Sequence, residues 1–311
     1  MKDRKWLGSA LLLLTAMIWG TAFVAQRAGV EKIGPASLNA SRMALAALFL
    51  GLVLLIRKKA GKRHGKPEAR TGRQDVKGGI VCGCFLASAS MCQQTGLVTT
   101  PAGKAGFITA MYIILVPIIA FLLLRRRISA RVGLAVAVGA AGMYLLCVGE
   151  GFTLTPGDAW VCACAVLFSG HILCCDRFAA KGDPLVISAV QFLTASVICL
   201  ALALITERTT TWEMLTAAAV PILYCGIMSG GVGYTLQMIA QKFTPPAVAA
   251  LLMSLESVFA ALAGALILGE RMTGKELAGC AVIFAAILIV QIPFGNGRRG
   301  KHASVGQSAG K

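Results

Sequence analysis

Ten apolar stretches, each long enough or nearly long enough to cross a bilayer, take up most of this 311-residue chain. A helix rises about 1.5 Å per residue, so a hydrocarbon core of about 30 Å needs about 20 mostly apolar residues. The stretches run from Leu7 to Ala25, Ala36 to Ile56, Gly78 to Leu97, Ala102 to Leu124 and Val132 to Val148. They continue from Asp158 to Cys175, Leu185 to Thr206, Pro221 to Ala240, Ala247 to Leu268 and Leu277 to Ile292. Hydrophobic residues make up 57% of the chain and charged ones 14%, a balance that the wet surface of a soluble domain does not carry. The expected fold class is an all-α membrane protein with ten transmembrane helices. The segment from Met1 to Ala25 has the outline of a signal peptide, but no small-residue cleavage site follows it and nine further stretches do. It is read as the first helix, retained.

The net charge of +17 raises the question of nucleic acid, and the placement of the charges answers it. With ten spans and the first entering from the cytoplasm, 23 of the 30 Lys and Arg residues fall on the cytoplasmic side, nine of them between Arg57 and Lys77. The positive-inside rule then puts both termini in the cytoplasm, as expected for a multi-pass protein of the plasma membrane. The basic loop is read as an anchor beside anionic headgroups of the lipid bilayer, and no nucleic-acid partner is expected.

The 11 cysteines lie mostly inside spans, where cysteine behaves as a small apolar residue suited to close helix packing. A soft-metal site is the competing reading for His171, which precedes Cys174 and Cys175 by three and four residues on one helical face. Ligands from facing helices would be needed as well, so no metal and no cofactor are expected.

Specific residues recur at nearly constant offset between the two halves. From the third span on, the offset is 144: Gln93 matches Gln237, Thr100-Pro101 matches Thr244-Pro245, Arg127 matches Arg271 and Ser129 matches Thr273. Earlier it is 149 or 150, with Pro35 matching Pro184, Gly20 matching Gly170 and Arg27 matching Arg177. The change falls where the first half has its long basic loop and the second a shorter connection. Five spans per unit is an odd number, so a copy must enter the membrane from the opposite side. The domains expected are a first five-helix repeat, 7–150, a second, 157–293, and a basic, disordered cytoplasmic tail, 294–311. Such inverted repeats build alternating access around a site at the midplane.

The chain resembles EamA-type transporters of the drug/metabolite transporter superfamily over nearly its whole length, from about Leu7 to Ile292. The resemblance rests on Trp19-Gly20 followed by Phe23, on Arg42, on Thr100-Pro101-Ala102 and on Thr244-Pro245-Pro246-Ala247. It rests also on Leu255-Glu256 with Val258-Phe259-Ala260, and on Leu268-Gly269-Glu270-Arg271. Two places depart from the pattern: Arg125-Arg126-Arg127 stands where an acidic-basic pair closes the fourth span, and Phe168-Ser169 stands where the first span has a tryptophan. The resemblance implies that spans one to four and six to nine surround a solute cavity, with five and ten outside it.

Ionisable residues in a membrane are costly and are the first candidates for a pathway. Glu256 lies about 13 Å into the ninth span, near the midplane, and is the candidate coupling residue because a carboxylate there can exchange its charge for a proton. Arg42 lies nearer a helix end, where a long side chain can snorkel to the interface, and is read as structural. The solute-binding candidates are Trp19, Gln93, Gln94, Tyr112, His171, Tyr234, Gln237 and Glu256. Amides offer donor and acceptor together, and aromatic faces cover apolar or cationic groups. Gly79/Gly83 and Gly226/Gly230, each spaced by four, are read as close helix contacts, with hinging at Gly230-Gly231-Val232-Gly233 as the alternative.

The resemblance implies a secondary transporter that exports a small metabolite, an amino acid or a related polar or amphipathic solute, driven by the solute's own gradient or by protons through Glu256. No Walker A loop is present, so a gradient is expected to supply the energy. An intramembrane enzyme would need a paired acid or a nucleophile with its base, and a channel a repeated filter; neither pattern is found. Pairing of two chains into a homodimer through the outer helices is a further expectation.

Overall fold

The structure, a computed structural model, describes residues 2–63, 72–100, 102–147, 155–268 and 273–291. Among them, eight helices are long and apolar enough to cross a membrane, and two shorter apolar ones complete a set of ten. They are α1 (Lys2–Val30), α2 (Pro35–Arg63), α3 (Arg73–Leu97), α4 (Lys104–Leu124) and α5 (Ala130–Cys147), then α6 (Pro156–Ala179), α7 (Pro184–Thr206), α8 (Ala219–Ala240), α9 (Pro246–Ala263) and α10 (Gly274–Gln291). A short helix, Trp212–Ala217, fills the connection from α7 to α8. Several helices outrun the apolar stretches: α3 begins at Arg73 and α1 at Lys2. Those added turns are polar, so hydropathy carries no signal for them. The basic tail 294–311, Pro101 and Gly269-Glu270-Arg271 lie outside the described residues.

Turn chemistry sets several helix starts. Pro156 and Pro184 occupy the first helical turns of α6 and α7, where the missing N–H needs no partner. Asp158 Oδ2 accepts from the Thr155 N–H at 2.6 Å, and Asp183 Oδ1 accepts from Leu185 N at 3.0 Å, each supplying one of the orphan bonds of a helix end. α2 has no acid at its own start; instead Glu207, at the end of α7, accepts from Ala36 N and Ser37 N at 2.8 Å each. At the other end of the same pair, Arg57 Nη2 of α2 lies 2.7 Å from Asp183 Oδ2. Burial pushes the Asp183 carboxyl up, but the Arg57 guanidinium and the backbone donors outweigh it and hold the group below its ordinary range. The α2 and α7 pair is thus clamped at both ends.

Packing confirms the inverted repeat, because contacts recur as images of one another. Gly139 and Gly142 of α5 match Ile283 and Ala286 of α10 at the 144 offset. A β-carbon at Gly142 would stand 2.7 Å from Ile283 N, and one at Gly139 3.6 Å from Ala286 Cβ, so the two contacts exchange partners across a two-fold axis. The same holds between distant ends of the bundle. A β-carbon at Gly157, where α6 begins, would lie 2.6 Å from the Gly96 carbonyl and from Thr100 Oγ1. One at Gly8, near the start of α1, would lie 2.5 Å from Thr244 Oγ1 and 3.4 Å from the Ala240 carbonyl. The residue pairs correspond, yet one contact closes the end that carries the termini and the other closes the opposite end. The spaced glycines serve close contact too: Gly226 and Gly230 face Leu45 and Ala46 of α2, and Gly79 and Gly83 face Val190 and Thr194 of α7.

Because Gly142 admits no side chain against the Ile283 backbone, Gly142→Val is expected to cost about 2 kcal/mol and to lower the thermal midpoint in detergent. Gly133→Ala, at a helical position with nothing within 4 Å, should leave that midpoint unchanged or raise it; equal midpoints for the two variants would refute the close α5/α10 contact.

Candidate functional site

The site begins with a backbone contact. α1 and α9 meet at Gly20, where a β-carbon would stand 2.5 Å from Phe259 Cβ and 2.6 Å from the Glu256 carbonyl. Any side chain at Gly20 would push the helices apart, so this glycine brings Trp19 and Glu256 to one level. The helix of α9 is interrupted there: one segment ends at Met253 and the next begins at Glu256.

A second local feature brings in α2 and α8. The middle of α8, Tyr224–Gly233, is a π-helix, with the Tyr234 N–H donating to the Ser229 carbonyl five residues back. Such widened turns are rare and recur at functional sites. The Ser229 carbonyl also accepts from Trp19 Nε1 at 3.3 Å, and the Trp19 and Tyr234 rings lie 4.5 Å apart between centroids. Gly226 in the widened turn lets α2 approach so closely that a β-carbon would lie 2.9 Å from the Arg42 carbonyl. That approach delivers Arg42 to the interior.

Between these elements is a cavity with about 30 Å³ of room for the centres of water-sized molecules, enough for a few waters. α1 contributes Trp19, Phe23 and Gln26; α2, Arg42; α3, Gln93; and α4, Thr109 and Tyr112. From the second repeat come Phe168, His171 and Ile172 of α6, Ser229, Tyr234 and Gln237 of α8, and Glu256 of α9. All of them except the half-buried Trp19 are buried. α5 and α10 stand outside the cavity, as the resemblance implied. α7 also lines none of it, which corrects that expectation: its Gln191 accepts from His171 Nε2 at 3.0 Å and so acts from behind α6.

The bonding inside the cavity is uneven. The Tyr112 hydroxyl donates to Glu256 Oε1 at 2.8 Å. Gln93 Nε2 donates to Thr109 Oγ1 at 3.3 Å, whereas neither amide atom of its repeat mate Gln237 has a partner. Arg42 Nε donates to Asn39 Oδ1 at 2.8 Å, and Asn39 Nδ2 donates to the Ser90 carbonyl of α3 at 3.1 Å. His171, Tyr234 and Phe168 form an edge-to-face series, with centroids 5.7 Å apart for His171 and Tyr234 and 6.3 Å for Phe168 and His171. The array sets charged and hydrogen-bonding groups at one part of the cavity and the faces and edges of aromatic rings at another.

Seven of the eight candidates named from sequence, Trp19, Gln93, Tyr112, His171, Tyr234, Gln237 and Glu256, are brought to this one cavity. Gln94 is not among its lining: it is buried behind Gln26 and donates its Nε2 to Gln26 Oε1. A helix turns about 100° per residue, so adjacent glutamines point apart. Arg42 does not snorkel; it is only 7% exposed and lines the cavity. Gln26 and Phe23, which are not among those eight, join the lining, and they follow Trp19 at seven and four residues, the spacing of one helical face. Ser229 had no sequence signal, because a π-helix shifts the face its residues present. The soft-metal alternative gains no support: Cys175 Sγ lies 3.6 Å from the His171 ring nitrogens, but no group of three metal-ligating side chains occurs among the described residues.

The two ends of the bundle are held together by different chemistry. At the end opposite the termini, Asp158 accepts from Thr100 Oγ1 at 2.9 Å and from Lys104 Nζ at 2.5 Å, with the side chains of Lys104 and Asp158 only 13% and 4% exposed. At the end carrying the termini, α6 and α8 are joined by a neutral bond from Gln241 Nε2 to the Ile172 carbonyl at 3.0 Å. The ion pairs of that end are nearer the surface: Arg126 with Asp176 at 2.6 Å, with Arg126 48% exposed, and Arg57 with Asp183, with Arg57 43% exposed. A buried pair resists separation far more than an exposed one.

Ten apolar helices in two inverted units around a buried polar cavity define a multi-pass membrane transporter for small molecules. The profile of the EamA-like transporter family matches residues 6–148 and again residues 155–292, and the chain belongs to that family. It is 28% identical to an uncharacterized transporter of Archaeoglobus fulgidus over 90% of this chain and 84% of that protein. It is 30% identical to the threonine/homoserine exporter RhtA of Salmonella typhimurium, over 45% of this chain and 44% of that one. A probable terminal-alkyne amino-acid exporter of Streptantibioticus cattleyicolor is 29% identical over 51% of each chain. A solved crystal structure shares the fold at a TM-score of 0.73, with 18% identity over 91% of this chain and 96% of its own.

Asp158→Asn removes the charge that holds Lys104 and Thr100 to α6. Amide hydrogen exchange at the end of α3 and the start of α6 is expected to rise by at least about tenfold, with exchange around Gly8 unchanged. Unchanged exchange at both places would show that the pair does not hold this end shut.

Proposed function

We propose that the chain exports a small amino acid, or a related polar or amphipathic solute, from the cytoplasm across the plasma membrane by alternating access. The observation that carries this is the buried polar cavity lined by both repeats, with Glu256, Arg42 and an unpartnered Gln237 amide facing it among apolar helices. A buried polar site lined by two inverted repeats has a use in a carrier, which must release its solute to one side at a time. The amino-acid class is supported by the two relatives named as exporters of amino acids, each of which matches about half of this chain. The cytoplasmic placing of both termini is supported by the 23 Lys and Arg residues on that side.

In this reading the halves 7–150 and 157–293 rock against each other, parting first at Gly157 and Thr100 or at Gly8 and Thr244, and 294–311 stays in the cytoplasm. Solute contacts come from Trp19, Gln93, Tyr112, His171, Tyr234, Gln237 and Glu256, with Gln94 supporting Gln26. Glu256 couples transport to protons by holding a charge in one phase of the cycle and a proton in the other. The contacts named here all come from one chain, and pairing into a homodimer through the outer helices is a separate part of the proposal.

The test is uptake and counterflow of labelled amino acids, L-threonine and L-homoserine first, in proteoliposomes with and without an imposed pH gradient. Wild type is expected to show saturable counterflow and pH-driven accumulation. Glu256→Gln should keep exchange at saturating solute and lose pH-driven accumulation by at least about tenfold. Equal pH-driven accumulation in both proteins would remove the coupling role, and no counterflow of any amino acid would remove the substrate class.

A further inference from the structure

We infer that the cavity is built for a zwitterion, with Arg42 as the anchor for the solute's carboxylate and Glu256 as the counter-charge for its ammonium group. This rests on the amino-acid reading above and adds a binding residue to it. Two buried ionisable side chains of opposite kind line the cavity from different helices, Arg42 from α2 and Glu256 from α9, and they form no ion pair with each other.

Each is only partly satisfied by the protein. Arg42 makes one side-chain bond, from Nε to Asn39 Oδ1, which leaves its two terminal Nη groups without a partner among the described residues. Glu256 has one partner, the Tyr112 hydroxyl on Oε1, and Oε2 has none. Burying a charge with its bonds unmade is costly, and a protein that keeps two such groups at one cavity does so where a ligand completes them. The paired Nη groups of a guanidinium match the two oxygens of a carboxylate, a geometry that a lysine cannot reproduce.

Asn39 makes Arg42 a fixed donor rather than a swinging one. It accepts from Nε three residues on along α2 and is itself held by the Ser90 carbonyl of α3 at 3.1 Å. With Nε occupied, the guanidinium plane is set and the Nη edge remains for the solute. The neighbouring Gln237 amide, 1% exposed and unpartnered at both atoms, adds a donor and an acceptor to the same cavity. A solute of one sign would complete one pole and leave the other bare; a zwitterion completes both.

The experiment uses the full-length protein in proteoliposomes and counterflow of a labelled amino acid that wild type transports, L-threonine first. Three competitors are compared: unlabelled L-threonine, L-threoninamide, which lacks the carboxylate, and 3-hydroxybutyrate, which lacks the amine. Both analogues are expected to compete at least about tenfold more weakly than threonine, the scale of one lost charge-assisted hydrogen bond. In Arg42→Gln the KM for threonine should rise by about tenfold or more with the maximal rate kept within about threefold, and the preference for threonine over threoninamide should vanish. Arg42→Lys should fall between the two.

If threonine is transported and threoninamide competes equally in wild type, the inference is overturned, and this holds whether or not the variants fold. It is overturned too if Arg42→Gln keeps the wild-type preference. If no labelled amino acid in the panel shows counterflow, the amino-acid reading of the previous section fails instead.

Discussion

The Tyr112 hydroxyl donates to Glu256 at 2.8 Å, and the two residues occupy corresponding positions of the repeat, 144 apart. One hydrogen bond therefore joins the two halves close to their symmetry axis. At the same place one copy supplies a neutral donor and the other an ionisable acceptor. Much of the rest depends on bringing these groups together: Gly20 lets α1 reach the backbone of Glu256, and Trp19 then spans from α1 to the Ser229 carbonyl of α8. A polar group within a bilayer finds no water to satisfy it, so such contacts between helices are what make the interior tolerable.

Symmetry supplies the frame and its breaking supplies the chemistry. The contacts Gly157 with Gly96 and Thr100, and Gly8 with Ala240 and Thr244, are images at opposite ends. Asp158 and Lys104 convert one of them into a buried ionic closure, while the other relies on packing and neutral bonds. Likewise Gln93 is tied to Thr109 while Gln237 is free, and α8 widens into a π-helix where α3 is regular. A solute with distinct ends needs a site with distinct sides. The repeats keep Gln93 and Gln237 alike at the cavity and differ there at Tyr112 and Glu256, so the frame is shared while the ionisable group is not.

Much of the site was legible in sequence because polar side chains in apolar helices stand out. Trp19, Gln93, His171 and Glu256 are conspicuous for that reason, and helical spacing from Trp19 would also have led to Phe23 and Gln26. Arg42 was equally conspicuous but was misread. Depth along a helix is measured from its ends, and a side chain near an end has two ways to go, toward the interface or toward the axis of the bundle. Asn39, three residues earlier, holds it inward. Gln94 was misread for the opposite reason, since adjacency to Gln93 says nothing about facing the same way.

Hydropathy and the offset repeat determined by themselves that this chain forms ten helices in two inverted units, because a bilayer accepts only long apolar helices and an odd number of them must invert the copy. Tertiary structure alone decided which polar groups are satisfied and which are left open. The bonds of Arg42 to Asn39, of Gln94 to Gln26 and of His171 to Gln191, and the widened turn that brings α2 to the cavity, depend on distances between helices. Side-chain type names the groups a membrane must accommodate; only packing settles whether protein or solute completes their bonds.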